Sequence, residues 1–181
     1  MDQLAQGAMV AGLGVALLAL IWQARGSGRI RRTARAAYFD DCAALFAGGL
    51  KAVMPTGFPR ISGPHAGHTF DVQALPDTLT FRKLPALWLL VTLPEALPLA
   101  ATFDLMVRPS GIEPFSNFKT LPEQIAAPDG FPADCAIRTD DAAGIPPETL
   151  LRRHLAVFDD PRVKELVISP KGVRLVWLAQ E

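Results

Sequence analysis

Hydrophobic residues fall into three kinds of pattern along the chain. Residues 4–24 form an uncharged apolar run, long enough for a helix that crosses a bilayer. Residues 33–53 place apolar side chains three and four positions apart, which predicts an amphipathic helix. Beyond this helix, prolines and glycines divide the chain into short apolar segments, a pattern that is typical of strands joined by turns.

Seven of these short segments have the length and composition of strands. Two pairs flank short turns and predict hairpins, one around residues 63–67 and one around Pro170 and Lys171. Residues 87–93 are continuously apolar, which predicts a strand buried on both faces. The seven predicted strands are 58–62, 68–73, 87–93, 102–108, 133–138, 165–169 and 172–178.

One further helix and one long loop complete the predicted elements. Residues 147–158 begin with a proline, which suits a first helical turn, and carry apolar residues on one face. Residues 109–131 are interrupted by prolines and glycines and are predicted to be a loop. The sequence therefore predicts an α+β fold, with one N-terminal transmembrane helix followed by a mostly antiparallel sheet of five to seven strands and two helices.

Positive charge is concentrated directly after the apolar run. Asp2 is the only acidic residue before Asp40, whereas five arginines follow the run closely. Because basic residues stay on the cytoplasmic side of a span, we expect the N-terminus to lie outside and the C-terminal domain to lie in the cytoplasm. The residues predicted to lie at the membrane interface are Trp22, Arg25, Arg29, Arg31, Arg32 and Arg35.

This charge pattern also predicts the divisions of the chain. They are a transmembrane anchor at 1–24, a basic juxtamembrane segment at 25–35 and a cytoplasmic α+β domain at 36–181. The arginines of the basic segment are expected to contact anionic lipid headgroups. Other transmembrane helices are the second expected partner, because small residues recur at four-residue spacing within the run. This predicted helix-packing face consists of Gly7, Ala8, Ala11, Gly12 and Ala16.

Competing interpretations of the apolar and basic segments have less support. A cleaved signal peptide would need a basic residue before the apolar run and a small-residue cleavage site. A nucleic-acid-binding arm would need interleaved aromatic residues, so no nucleic acid is expected as a partner. Residues 84–101 are also apolar, but three prolines and Glu95 argue against a second span. Contact of these residues with the bilayer surface stays open as an alternative.

Residues with metal-binding or catalytic chemistry are scattered. His65, His68 and Asp71 could hold a metal, but they fall on a Gly/Pro turn, where a solvated hairpin tip is the simpler interpretation. Cys42 and Cys135 lie outside any CxxC motif and are expected to be buried thiols. The sequence also lacks a nucleophile elbow and a phosphate-binding loop. We therefore predict no catalytic, metal-binding or cofactor-binding residue and no cofactor.

Four stretches of the chain carry a resemblance to a family. They read DTLTFRKLPALWLLVTL, PFSNF, GFPADCAIRTDD and FDDPRVKELVISPKGVRLV. They resemble uncharacterised bacterial membrane-anchored proteins that have one N-terminal span and a cytoplasmic α+β domain. The resemblance covers most of the chain and implies this architecture, but it brings no activity and no catalytic residue.

Three functional hypotheses of different classes follow from these observations. The first is a non-enzymatic, membrane-anchored accessory or assembly subunit of a larger inner-membrane complex, with a respiratory or photosynthetic complex as a reasonable setting. Its soluble domain would dock on the cytoplasmic face. The alternative is a membrane-tethered binding module for a small molecule, lipid or peptide, which an apolar pocket beneath residues 87–93 would favour. A hydrolase with dispersed catalytic residues is the third hypothesis.

Overall fold

A computed structural model describes residues 17, 20, 22, 23, 26–77 and 86–180. Within these residues the fold is α+β, with two helices and nine antiparallel strands in one open sheet. Helix α1 includes residues 26–36, and α2 spans Glu148–Arg152. The strands are β1 (Leu50–Val53), β2 (Pro59–His65), β3 (His68–Asp77), β4 (Ala86–Leu93), β5 (Phe103–Val107), β6 (Glu123–Ile125), β7 (Cys135–Thr139), β8 (Val163–Ser169) and β9 (Gly172–Gln180). Short 3-10 helices cover Ala43–Leu45, Phe118–Thr120 and Leu155–Asp159.

The last strand in chain order lies in the middle of the sheet. The strand order is β1-β2-β3-β4-β9-β8-β5-β7-β6, so β9 joins a half made of β1–β4 to a half made of β5–β8. Leu175 of β9 lies opposite Val91 of β4 on one side and opposite Leu166 of β8 on the other. The backbone groups of β9 are therefore hydrogen-bonded along both of its edges.

One face of the sheet carries a continuous row of apolar side chains. Residues that lie opposite one another on neighbouring strands share a face, so the row can be read from the strand register. From β2 to β6 it consists of Ile61, Val72, Val91, Leu175, Leu166, Leu105, Ile137 and Ile125. We call this side the apolar face. A shift of any strand by one residue would move its apolar side chains to the other face, so the row favours this register.

Two segments cover opposite ends of the apolar face. Phe39, Cys42 and Phe46, which follow α1, pack over β2, β3 and β4. At the other end, α2 and the 3-10 helix Leu155–Asp159 pack over β5, β7 and β8, with Leu151 at the centre of the contact. The part of the face between these two covers is the site of a cavity described below.

The loop between β5 and β6 covers the opposite face. Phe115 and Phe118 of this loop pack against Trp88, Met106 and Val176. The rings of Trp88 and Phe115 are 4.7 Å apart between centroids. This cluster covers one end of the opposite face and leaves polar side chains at its other end.

The predicted helix over residues 33–53 is wrong after residue 36. The chain turns, forms a short 3-10 helix and enters the edge strand β1. Gly48 has a φ of +69°, and a Cβ on Gly63 of β2 would lie 2.7 Å from the Cα of Gly49. The glycines therefore let the chain leave the helical path and cross β2 closely, which apolar spacing does not reveal.

The predicted mostly antiparallel sheet is confirmed, although it has nine strands in place of five to seven. All seven predicted segments contain a strand, and both predicted hairpins are present. The two strands that were missed are β1, predicted as helix, and β6, predicted as loop. The predicted helix at 147–158 divides into α2 and a 3-10 helix.

The membrane predictions are tested only in part. Among the described residues, no helix has the length and apolar character needed to cross a bilayer. Residues 4–24 lie mostly outside the described residues, and so does the whole predicted packing face from Gly7 to Ala16. Within 84–101, residues 86–93 form strand β4 inside the sheet, so the alternative of a second spanning helix is wrong.

Gly172 begins β9 with a φ of +130°, and a Cβ there would collide with the carbonyl oxygen of Leu93. Gly67, in the β2–β3 turn, has a φ of +85° but open space around it. We expect Gly67→Ala to cost about 1–2 kcal/mol from the left-handed conformation alone. Gly172→Ala should cost a further 1–3 kcal/mol or so from overpacking.

Urea unfolding of both glycine variants measures this difference. Gly67→Ala is the matched control, because it changes the conformational preference without adding a collision. Equal destabilisation by the two substitutions would contradict the close approach of Gly172 to β4.

Candidate functional site

Two cavities lie on opposite faces of the same central strands. The first, which we call the apolar groove, has a volume of about 570 Å³ and lies on the apolar face between its two covers. The second, which we call the polar cavity, has a volume of about 500 Å³ and lies on the opposite face. Both volumes fall within the roughly 300–1,000 Å³ typical of ligand pockets.

The floor of the apolar groove is made by three adjacent strands. It consists of Val91 and Leu93 of β4, Val173 and Leu175 of β9, and Leu166 and Ile168 of β8. These strands occupy the middle of the sheet, so their backbone groups are already paired with neighbouring strands. The floor therefore offers hydrocarbon surface without an open strand edge.

The walls of the groove come from chain segments on either side. On one side are Leu97 and Leu99, in the loop after β4, where the amide of Leu97 donates a hydrogen bond to the carbonyl of Pro170 at 3.1 Å. On the other side are Leu150 of α2 and His154 directly after it. The side chain of His154 is exposed.

The polar cavity is lined mainly by hydroxyl, amide and charged side chains. Asp104 of β5, Glu165 of β8 and Arg174 of β9 form its floor. The register places Asp104 and Arg174 opposite Val167 from either side, so the three polar residues surround Val167 on one face. Further lining residues include Thr92, Thr102, Asn117, Thr120, Asp140 and Ser169.

Asp104 and Glu165 form a buried pair of carboxyl groups, 2% and 0% exposed. Burial raises the pKa of Asp104 well above its ordinary value, and the nearby Glu165 carboxyl raises it further, while Arg174 opposes the rise. Burial also raises the pKa of Glu165, against the opposing effects of a Ser116 hydrogen bond and Arg174. The pair therefore favours holding a proton between its two carboxyl groups.

Ser116 is positioned over Glu165 by a folded loop. Its hydroxyl donates a hydrogen bond to Oε1 of Glu165 and accepts one from the amide of Phe118 at 2.9 Å.

The carboxyl group of Glu113 lies in the same loop. Its Oε1 accepts hydrogen bonds from the amide and hydroxyl of Ser110 at 2.5 and 2.8 Å. Burial alone would raise the pKa of Glu113, but these bonds and the charge of Lys164 lower it below the ordinary value.

The histidine and aspartate candidates of the hairpin do not converge. His65 lies opposite His68 across the β2–β3 turn, but Nδ1 of His65 contacts the carbonyl of Leu45 at 3.0 Å. His68 pairs with Glu95 at 2.5 Å between Nδ1 and Oε1. Asp71 accepts a bond from Arg60 at 2.6 Å. Within the described ranges, no group of three metal-ligating side chains is present.

Three aspartates that each adjoin a second aspartate in the sequence have structural partners. Asp140 accepts a bond from the amide of Thr102 at 2.7 Å, and it also borders the polar cavity. Asp160 accepts bonds from Arg162 and from the indole of Trp177, at 2.8 and 3.0 Å, and the Arg162 partner lowers its pKa. Asp40 pairs with Lys51 of β1.

The predicted interface residues that the structure describes are exposed. They are Trp22, Arg29, Arg31, Arg32 and Arg35; Arg25 lies outside the described residues. Trp22 is 82% exposed and Ile30 is 72% exposed. At the end of α1 the guanidinium of Arg35 lies 5.3 Å from the ring centroid of Phe58. Most of α1 therefore projects away from the sheet and is available for contacts outside the domain.

Sequence reasoning missed Asp104, Glu165 and Arg174 as a group. Asp104 and Arg174 are each the lone charge of an otherwise apolar strand, which is a signal that could have found them, whereas Glu165 follows Lys164 in its strand. The sequence cannot show that β5, β8 and β9 are neighbours. Comparison with known proteins finds no match among family models, curated proteins or solved structures.

The carboxyl pair should make the protein less stable as the pH rises. A carboxyl group with a raised pKa keeps its proton in the folded state, while the unfolded chain releases it near pH 4. The unfolded state therefore binds fewer protons above pH 4, and the free energy of unfolding falls until the pH passes the raised pKa. The fall amounts to about 1.4 kcal/mol for each unit of pKa difference.

Glu165→Gln should flatten this fall, because glutamine keeps the shape and accepts the Ser116 bond without ionising. Urea unfolding between pH 5 and pH 9 measures the effect. Glu123→Gln, an exposed position at the sheet edge, is the matched control and should follow the wild-type curve. Parallel curves for Glu165→Gln and the wild type would contradict the shared proton.

Proposed function

We propose that this protein is a membrane-tethered binding module that holds the acyl chain of a membrane lipid in the apolar groove. The observation that carries the proposal is the groove itself, an apolar cavity beside Val91 and Leu93 of β4. Sequence reasoning named an apolar pocket at this position as the feature that would favour a binding module over a subunit. Hydrocarbon burial contributes about 0.8 kcal/mol per methylene group.

The groove suits an acyl chain better than a peptide. A bound peptide brings backbone amide and carbonyl groups that need hydrogen-bond partners when they are buried. The central strands of the floor use their own backbone groups in the sheet. An acyl chain has no such groups, so it can lie on Val173, Leu175 and Ile168 without this desolvation cost.

The predicted anchor would hold the domain next to a bilayer, and the bilayer would supply the lipid. Residues 4–24 and the exposed arginines of α1 support an attachment to a bilayer with anionic headgroups. His154 lines the groove and is exposed, so it suits the polar end of a bound lipid. The proposed location is the cytoplasmic face of a bacterial inner membrane, with the N-terminus outside.

The accessory-subunit function is the second candidate. Its supporting observation is the exposure of apolar side chains along the helical residues, with Leu17 at 59%, Leu20 at 62% and Ile30 at 72%. Such residues are suited to burial against a neighbouring helix or in the bilayer. In this function the apolar groove would play no part.

Val173→Phe should fill the groove and displace the acyl chain. The full-length protein is placed in vesicles that contain a lipid with a photoreactive diazirine on its acyl chain. We expect crosslinks to peptides of β4, β8 and β9 in the wild type and at least a tenfold loss of these crosslinks in the variant. Loss of contact with two methylene groups, at about 0.8 kcal/mol each, accounts for this factor.

Val53→Phe is the matched control for the groove variant, because Val53 is 57% exposed on the edge strand β1. It should leave the crosslinks unchanged. Crosslinking that persists in Val173→Phe, or that is confined to the predicted anchor, would overturn the lipid-binding proposal.

The charges of α1 should fix the orientation of the chain in the membrane. Trypsin added to intact spheroplasts should spare the domain, and trypsin added to inverted vesicles should cut it. Replacing Arg29, Arg31, Arg32 and Arg35 with glutamine should expose a measurable fraction of the domain in spheroplasts. Arg162→Gln is the control and should not change the orientation. Cleavage of the wild-type domain in intact spheroplasts would contradict the proposed topology.

A further inference from the structure

We propose that the polar cavity binds a small zwitterion of the α-amino acid class, with its ammonium group against Asp104 and Glu165 and its carboxylate against Arg174. The proposal is independent of the lipid site, because the polar cavity lies on the other face of the sheet. It stands on the cavity and on the side chains of Asp104, Glu165 and Arg174, which line its floor.

The hydrogen-bonding groups of the three side chains are incompletely used. Oδ1 of Asp104 and Oε2 of Glu165 are buried and receive no hydrogen bond from another group among the described residues, so they depend on the proton held between the two carboxyl groups. Nε of Arg174 is also buried, and it has no hydrogen-bond partner among the described residues. When that proton leaves, the site presents two acceptors and one donor, and a buried polar atom without a partner is costly.

Opposite charges are held near one another across the cavity floor. Arg174 is close enough to influence the titration of both carboxyl groups. The strand register places Arg174 diagonally from Glu165, on the other side of Val167 from Asp104. A ligand with a hydrogen-bond donor at one end and an acceptor at the other can bridge the carboxyl pair and Arg174. Such hydrogen bonds are strongest when both ends of the ligand are charged.

The remaining walls suit a small polar molecule. Thr92, Asn117 and Thr120 offer hydroxyl and amide groups at the rim, where they can contact the ligand carboxylate or its side chain. A lone cation would meet the positive charge of Arg174, and a lone anion would meet the carboxyl pair. A zwitterion avoids both repulsions, which is why we favour it over an amine or a carboxylic acid.

Binding should also displace the proton that the carboxyl pair holds, because an ammonium group favours the ionised forms. The full-length protein in lipid nanodiscs is titrated by calorimetry at pH 6 with the common L-α-amino acids. At least one should bind, and its heat should vary with the ionisation enthalpy of the buffer, as proton release requires. The matching amine without the carboxylate and the matching acid without the amine should each bind at least tenfold more weakly.

Variants test each pole of the site. Asp104→Asn and Arg174→Gln should each weaken binding at least tenfold, and Arg162→Gln is the matched control for Arg174→Gln. Thr120→Trp is a second test that leaves the buried cluster intact. Thr120 is exposed at the rim, so the indole should block entry without unfolding the domain, whereas Thr56→Trp at an exposed turn should have no effect.

Three outcomes would overturn the proposal. They are the absence of binding by every amino acid, equal binding by an analogue that lacks one charged group, and preferential binding of a neutral polyol such as glucose. Val91 lines the apolar groove on the other face of the sheet, so Val91→Phe should reduce the lipid crosslinks and leave amino acid binding unchanged. A failure of lipid crosslinking and a failure of amino acid binding are therefore separate results.

Discussion

The register in which β9 pairs with β4 and β8 determines both faces of the sheet. Leu175 lies opposite Val91 and Leu166, which completes the apolar row. The next residue toward the turn, Arg174, lies opposite Thr92 and Val167 on the other face. A shift of one residue would place the guanidinium on the apolar face and a leucine in the polar cavity. The two cavities therefore depend on one set of backbone hydrogen bonds.

The central strands separate two kinds of chemistry by the thickness of a single sheet. Along β8, Glu165 and Val167 face the polar cavity, whereas Leu166 and Ile168 face the apolar groove. On one side the strands expose hydrocarbon between two packed covers. On the other they bury carboxyl groups whose raised pKa reflects an energetic cost of folding. Such a cost is commonly found at functional sites.

The sequence predicts local features well and long-range features poorly. The hairpins are predictable because the turn residues lie next to the strands that they join. Strand β1 is not, because the spacing of Leu50 and Val53 matches a helix and only pairing with β2 makes the segment a strand. Strand β6 likewise depends on β7. The pairing of Asp104 with Glu165 is long-range in the same sense: Asp104 appears in the sequence only as a lone charge in an apolar strand, and Glu165 only as one of two adjacent charges.

The position of β9 also has a consequence for biosynthesis. It is the last of the nine strands to leave the ribosome, yet its place is in the middle of the sheet. Until then, β4 has no partner on its inner edge, and the two halves of the domain have no strand between them. Unpaired edges of this kind are prone to association with other chains. The edge of β4 therefore stays open to such association until β9 pairs with it.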